Sequence, residues 1–383
     1  LWQRQERYDP KRGLTDLRTY IQIQTFDPET IALELENDPR VEHLYLAFAA
    51  VAPPIDIPPQ TPDYAYAQLY AQAAPIGFDS EYARFWPNGD GSGIRIVDIE
   101  YSWDPTHEDL GHGPQSFAWG WDIGEYAYHG NGVLGQLIAA DNGYGVRGMV
   151  TGAEVLMISP LSDPGNYNVA DAIEQSATFL QAGDILLIEQ QALAFDNYCP
   201  VEIAPDVFDA ITHLVAQGVV VVEPGGNGAQ DLDAEYWDGW FQRDIQDSGA
   251  IMVGGGTPPG FNAPVRSWFS GGSSYGSRMD VQGWYVGIVT TGGEAMSDLF
   301  FPEADARQAY TAYFGGTSGA SPMVVSVAAI ANAIRLQRTG EVWDPVELRA
   351  AMVYSGIPQP EDDEYLIGPQ PDLRRFLWMW ALR

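Results

Sequence analysis

A single cysteine, Cys199, is present among 383 residues, so no disulfide can form within the chain. Lysine is almost absent as well: Lys11 stands alone, and 19 basic residues face 52 acidic ones for a net charge of −33. A surface of that sign repels nucleic acid and anionic lipid, and it favours neutral or cationic peptide partners. No apolar run approaches the roughly 18 residues of a membrane-spanning helix. There is no internal repeat, no EF-hand spacing, no His or Cys cluster with metal-ligand spacing, and no interleaving of aromatic and basic residues of the kind that binds nucleic acid. The chain opens at Leu1 rather than at a methionine, which fits removal of a leader.

What is present is a large apolar fraction. With 45% hydrophobic residues the chain can bury an extensive core, and one large domain with a small accessory region is the expectation. Twelve tryptophans and twenty tyrosines read as core and cleft walls rather than as a carbohydrate-binding module. The acidic balance fits either a salty or an acidic habitat, and composition does not separate them.

From Gly91 onward, apolar strands alternate with helices. Strands are expected at 94–98, 155–158, 185–188, 219–222 and 251–253, and helices at about 132–140, 169–181 and 205–217. Continuous apolar strands joined by helices indicate a mostly parallel sheet covered on both faces, an α/β architecture. Chemistry then gathers at the carboxyl edge of the strands. Residues 310–313 and a long buried helix at 323–334 close the domain, and a surface helix at 345–355 completes this part.

One stretch points to a reaction. Residues 315–322 read Gly-Gly-Thr-Ser-Gly-Ala-Ser-Pro, which places Ser318 at the start of the buried helix, with Pro322 expected in its first turn. A serine there exposes its hydroxyl and aims its own N–H at incoming negative charge, as acyl transfer requires. Serine alone is a weak nucleophile, so a base, a group orienting it and a second oxyanion donor are needed. His129, in His129-Gly130-Asn131-Gly132 before an apolar helix, is the candidate base. Asp98, which ends the strand Ile94-Arg95-Ile96-Val97, is the candidate orienting acid, and Asn227, in the turn Pro224-Gly225-Gly226-Asn227-Gly228, is the candidate oxyanion donor. Taken singly, each has a plain structural alternative: a turn cap at Asp98, a satisfied histidine at His129, a left-handed turn at Asn227 and a helix cap at Ser318. His107 and His112 are read as supports for the Asp98 loop, and His43 and His213 as structural.

The order Asp, His, Asn, Ser with these contexts resembles the subtilisin-like serine peptidases, the subtilases, from about Gly91 to the C-terminal region. The match is carried by the Gly-Thr-Ser-x-Ala-x-Pro pattern at Ser318, the His129-Gly130 pair, and Asp98 with Pro105-Thr106-His107-Glu108-Asp109-Leu110 after it. Two departures stand out: Asn131 where Thr is usual, and Ile99-Glu100 where Ser/Thr-Gly is usual. Sedolisins, acid-acting relatives, replace the histidine by Glu and the oxyanion residue by Asp, so His129 and Asn227 favour the subtilase reading and a neutral or mildly alkaline optimum.

The resemblance implies a three-layer fold with a mostly parallel central sheet and an endopeptidase working through Asp98, His129 and Ser318 with an acyl-enzyme. It places substrate along 186–194 and 223–228, with Glu189, Gln190, Gly225, Gly226 and Thr317 as substrate-binding candidates. It also implies an inhibitory propeptide at the N-terminus. A strand at 19–24, a helix from Asp27 to about Asn37 and a strand at 41–51 make a small α+β segment over residues 1–52. A Pro-rich linker and entry follow over 53–90, then the catalytic domain over 91–383, with cleavage between Val51 and Ala65. Partners are a peptide or protein substrate and the chain's own propeptide, and the location is secreted or extracytoplasmic. No cofactor is required; structural calcium is common in the family, and Gln230-Asp231-Leu232-Asp233 could supply oxygen ligands. The rival from another functional class is a catalytically silent subtilase fold that binds or matures a partner.

Overall fold

The computed structural model describes residue 23, residues 28–41 and residues 60–381 apart from 115 and 262. The chain divides into two units, Leu1–Pro58 and Pro59–Arg383. In the first, helix α1 (Pro28–Leu35) stands where a helix is expected, opened by Pro at a position that needs no N–H. The expected flanking strands, residues 23 and 41 excepted, and the linker prolines Pro53 to Pro59 lie outside the described residues.

The second unit begins with α2 (Ser80–Ala83), β1 (Arg95–Ile99), β2 (Phe117–Trp119), α3 (Ala127–Ile138), β3 (Glu154–Ile158), α4 (Val169–Ser176) and β4 (Ile185–Ile188). A hairpin of β5 (Ala192–Ala194) and β6 (Asn197–Cys199) leads to α5 (Pro205–Ala216), β7 (Val220–Pro224), β8 (Ile251–Gly256) and β9 (Val281–Trp284). The antiparallel pair β10 (Ile288–Thr291) and β11 (Tyr310–Phe314) precedes α6 (Thr317–Thr339), α7 (Pro345–Ser355) and α8 (Leu373–Phe376). Residues 63–90, expected as an entry segment, belong to this body: Tyr64 N–H donates to the Gly145 carbonyl at 2.6 Å, and the buried Tyr70 hydroxyl donates to that of Val289 at 2.9 Å.

Seven strands form one sheet in the order β2-β3-β1-β4-β7-β8-β9, with every pairing parallel. Alternation sorts the side chains onto two faces. Ile94, Ile96, Ile185, Leu187, Val220 and Val222 pack with α3 and α6, whereas Val97, Ile99, Leu186, Ile188, Val219 and Val221 pack with α4 and α5. The result is a three-layer α/β fold. Helix α6 is long and apolar enough to cross a membrane, but 89% of its apolar stretch is buried inside the protein, as in a core helix.

Three boundaries differ from expectation in ways that matter. Helix α3 starts at Ala127, so His129 sits in its first turn rather than before it. Strand β1 runs on to Ile99, because Ile99 is apolar and finds a place in the lower core layer. Helix α6 starts at Thr317, which puts Pro322 in the second turn; its missing N–H leaves the Ser318 carbonyl without its usual partner four residues on.

A buried ion network ties the body together away from the carboxyl edge of β1. Arg278, 1% exposed, donates to Glu202 at 2.7 and 3.1 Å and to Asp280 at 2.9 Å. Arg243 donates to the other Asp280 oxygen at 2.5 Å, and Arg349 holds Asp247 through two bonds. Burial opposes the charge on Arg278, but Glu202 and Asp280 outweigh it and hold the guanidinium more firmly protonated than usual.

Candidate active site

Because β1 continues past Asp98, that residue lies inside the sheet, in register with Met157 on one side and Leu187 on the other. It is fully buried, and neither carboxylate oxygen has a hydrogen-bond partner. Burial, then the negative charge of Glu100, pushes its carboxyl well above the ordinary range. The expected pairing of Asp98 with His129 is therefore not formed. The acid that reaches the histidine is Glu100, one residue beyond the strand and on the same face as Asp98: His129 Nδ1–H donates to Glu100 Oε2 at 2.5 Å. The other Glu100 oxygen accepts the Tyr101 N–H at 2.8 Å.

Gly130 makes that approach feasible. A Cβ at this position would lie 2.2 Å from the Ser102 carbonyl oxygen and 3.0 Å from Glu100 Cγ, so any side chain would push the acid off the helix. Asn131 pins the same turn from both sides, accepting from Asp104 N–H at 2.8 Å and donating to the Gly292 carbonyl at 2.7 Å. His129 keeps 28% of its side chain exposed while Glu100 keeps 1%. Burial disfavours the imidazolium, but the charge and hydrogen bond of Glu100 outweigh it and raise the His129 pKa above 6.5. On its other flank the ring meets Phe314 edge-on at 5.6 Å, and a Cβ at Gly319 of α6 would also touch Phe314.

Ser318, half-buried, opens α6 one residue after Thr317. Thr317 does not face outward as a substrate contact: its N–H and hydroxyl both donate to Asn227 Oδ1, at 2.9 and 3.1 Å. These bonds fix the amide so that its NH2 is the free end. The Asn227 backbone N–H is held in turn by Gln191 Oε1 at 2.9 Å. Gly225 continues the sheet by donating to the Val253 carbonyl, and Gly226, at φ +86°, turns against the backbone of Cys199 in β6. Gln190 is buried, accepts the Tyr167 hydroxyl at 3.0 Å and donates to the Ile99 carbonyl at 3.4 Å, so its side chain is committed to the scaffold.

Glu189, 5% exposed, neighbours Ser318, and both its oxygens lack a partner at normal hydrogen-bond geometry. Glu223 points to the opposite sheet face, where one oxygen accepts the Glu202 N–H at 2.9 Å; it is fully buried and lines no open wall. His107 donates from the core to the Ala309 carbonyl at 2.9 Å, just before β11, and its Nδ1 accepts the Asp109 N–H at 3.3 Å within its own loop, while His112 is exposed. In the acidic loop, Asp233 is taken up by Ser277 and Asp231 by the Asp233 N–H. Among the described residues, no group of three or more His, Cys, Asp or Glu side chains is placed to hold a metal ion.

The structure thus brings Glu100, His129, Ser318, Asn227 and Glu189 to one edge of the sheet. Glu100 is the partner of His129 that sequence reasoning missed. Its signal was parity: Ile94, Ile96, Asp98 and Glu100 share one face, and an apolar Ile99 carries the strand past Asp98.

A family model described as the subtilase family matches residues 115–365, a span that includes His129, Asn227 and Ser318 and begins after both Asp98 and Glu100. Fervidolysin of Fervidobacterium pennivorans is 26% identical over 262 residues, which covers 64% of this chain and 36% of that protein. The extracellular basic protease of Dichelobacter nodosus is 27% identical over 255 residues, covering 61% of this chain and 37% of that one. The chain therefore spans a little over a third of the length of the curated relatives it matches. In fold it is similar to a protease structure from Pseudoalteromonas arctica, with a TM-score of 0.60 at 18% identity over 84% of this chain and 99% of the other. With more than half its length matched by one family model, and the histidine, asparagine and serine of that match converging on one sheet edge, the chain belongs to the subtilase family.

Proposed function

We propose that the chain is a serine endopeptidase whose charge-relay acid is Glu100. The observation that carries this reading is the 2.5 Å bond from His129 Nδ1 to Glu100, which leaves Nε2 as the basic nitrogen on the helix that faces α6. Ser318 Oγ forms a bond to the peptide carbonyl carbon while His129 Nε2 takes its proton, and Glu100 stabilises the imidazolium. The Asn227 NH2 and the Ser318 N–H receive the oxyanion; a donor of this kind contributes about 10² to 10³ in rate. His129 then protonates the leaving amine, and water resolves the acyl-enzyme. Glu100, one of the two departures from the family pattern, supplies the acid in this scheme, and Asn131, the other, holds the turn that carries His129.

Labelling with a fluorophosphonate tests the reading. Wild type is expected to label at Ser318 and Ser318→Ala not at all. Since His129 must be neutral to act and Glu100 raises its pKa, the labelling rate should climb with pH through a midpoint above 6.5. Equal labelling of both proteins, no labelling of either once residues 1–52 are removed, or a rate greatest below about pH 4, where an ordinary histidine is protonated, would reject it.

The reading extends to the N-terminal unit as a self-inhibiting propeptide and to an exported enzyme. Family membership and helix α1 support the first, and the name of the Dichelobacter relative supports the second. Active enzyme is expected to have lost residues 1–52; N-terminal sequencing that finds Leu1 on the active form would count against it.

A further inference from the structure

The scheme above leaves one buried group beside the nucleophile without a role. Strand register puts Ile188 opposite Ile99, and the Glu189 N–H donates to the Ile99 carbonyl at 3.2 Å, so Glu189 and Glu100 stand level on adjacent strands and point to the same face. Asp98 lies two residues back on that face. Three carboxyl groups thus share one water-poor corner, and they differ in their partners. Both Glu100 oxygens are held by donors, whereas no oxygen of Asp98 or Glu189 is. Among the described residues, none of the three forms an ion pair with an arginine. A buried carboxylate without donors or a cation is disfavoured against its neutral acid.

We propose, on the footing of the serine-peptidase reading, that Glu189 works as a neutral carboxylic acid that donates to Ser318 Oγ and so fixes the hydroxyl for transfer of its own proton to His129. Loss of the Glu189 proton then sets the alkaline limit of the reaction, because a carboxylate at that place repels the negative charge that develops beside it. The groups that face Glu189 are Asp98 and Glu100 from β1 and its continuation, Ser318 from α6, and His129 from α3 by way of Glu100. On β7, Val222 shares the face, while Glu223 stands on the other with Glu202 and Arg278 nearby. Burial first, then the charges of Asp98 and Glu100, holds the Glu189 carboxyl well above its usual range, with Ser318 a small opposing influence.

The test is kcat/KM against pH for wild type and Glu189→Gln, with fluorophosphonate labelling at each pH. The wild-type profile is expected to be bell-shaped. In Glu189→Gln, which is neutral at every pH, the alkaline fall should vanish or move up by more than about one pH unit while the rise from His129 remains. Glu189→Ala should lose the same fall and show a lower kcat than the Gln variant with little change in KM, because it cannot hold the hydroxyl. An active enzyme whose alkaline fall is the same in all three proteins, or absent from wild type, overturns the inference and leaves the peptidase reading standing. Wild type freed of residues 1–52 that fails to label at any pH removes both.

Discussion

Glu100→Gln is expected to lower kcat by about 10⁴, the scale seen when the acid of a serine-histidine triad becomes an amide. The amide can offer an N–H where the carboxylate accepted one, so the imidazole turns to the tautomer with its proton on Nε2, facing Ser318, and cannot serve as base. Asp98→Asn should lower kcat by less than about tenfold, since Asp98 makes no hydrogen bond to His129 and a neutral amide resembles the protonated acid that burial favours. Steady-state kinetics of the two variants side by side decide between the carboxyls. A large loss in Asp98→Asn with a small one in Glu100→Gln would return the acid to the position first expected.

The second large effect concerns folding. Arg278→Ala removes the cation between Glu202 and Asp280; Asp280 keeps Arg243, but Glu202 is left buried without a counter-charge, and breaking such a pair costs about 3–5 kcal/mol. Urea unfolding should show that loss, and replacing Glu202 and Asp280 by Gln and Asn in the same protein should recover part of it. A change below about 1 kcal/mol, the scale of an exposed pair, would mean that the network is solvated in solution.

Much of this molecule is legible in local pattern. Helices α5 and α7 could be bounded closely because Pro205 and Pro345 open them at positions that need no N–H, and Asp344 caps the second by accepting from Val346 and Glu347. Ser318, His129 and Asn227 each sit in a glycine-rich turn next to an apolar element, a short-range signal. The acid is different. Asp98 and Glu100 share a face, and the choice between them depends on how far β1 runs before its partners β3 and β4 end, and on Gly130 yielding space from another element. Neither fact is local.

Two of the substrate-binding candidates have their side chains engaged within the protein for a related reason. Gln190 and Thr317 carry polar groups suited to a substrate, but tertiary neighbours claim them first: Tyr167 and Ile99 for one, Asn227 for the other. Thr317 nonetheless contributes, because it is what turns the Asn227 NH2 outward. Strands β9 and β10, absent from the sequence reading, are short and carry glycine or threonine among their apolar residues, so no run of Val, Ile or Leu announces them.

The proposed mechanism requires above all that Glu100 hold the His129 proton on Nδ1. It is tested most directly by ¹H–¹⁵N NMR of histidine-labelled protein, at a pH above the His129 pKa, in wild type, Asp98→Asn and Glu100→Gln. A hydrogen-bonded Nδ1–H is expected at His129 in wild type and in Asp98→Asn, and its loss in Glu100→Gln. An Nδ1–H that survives Glu100→Gln and disappears in Asp98→Asn would contradict it.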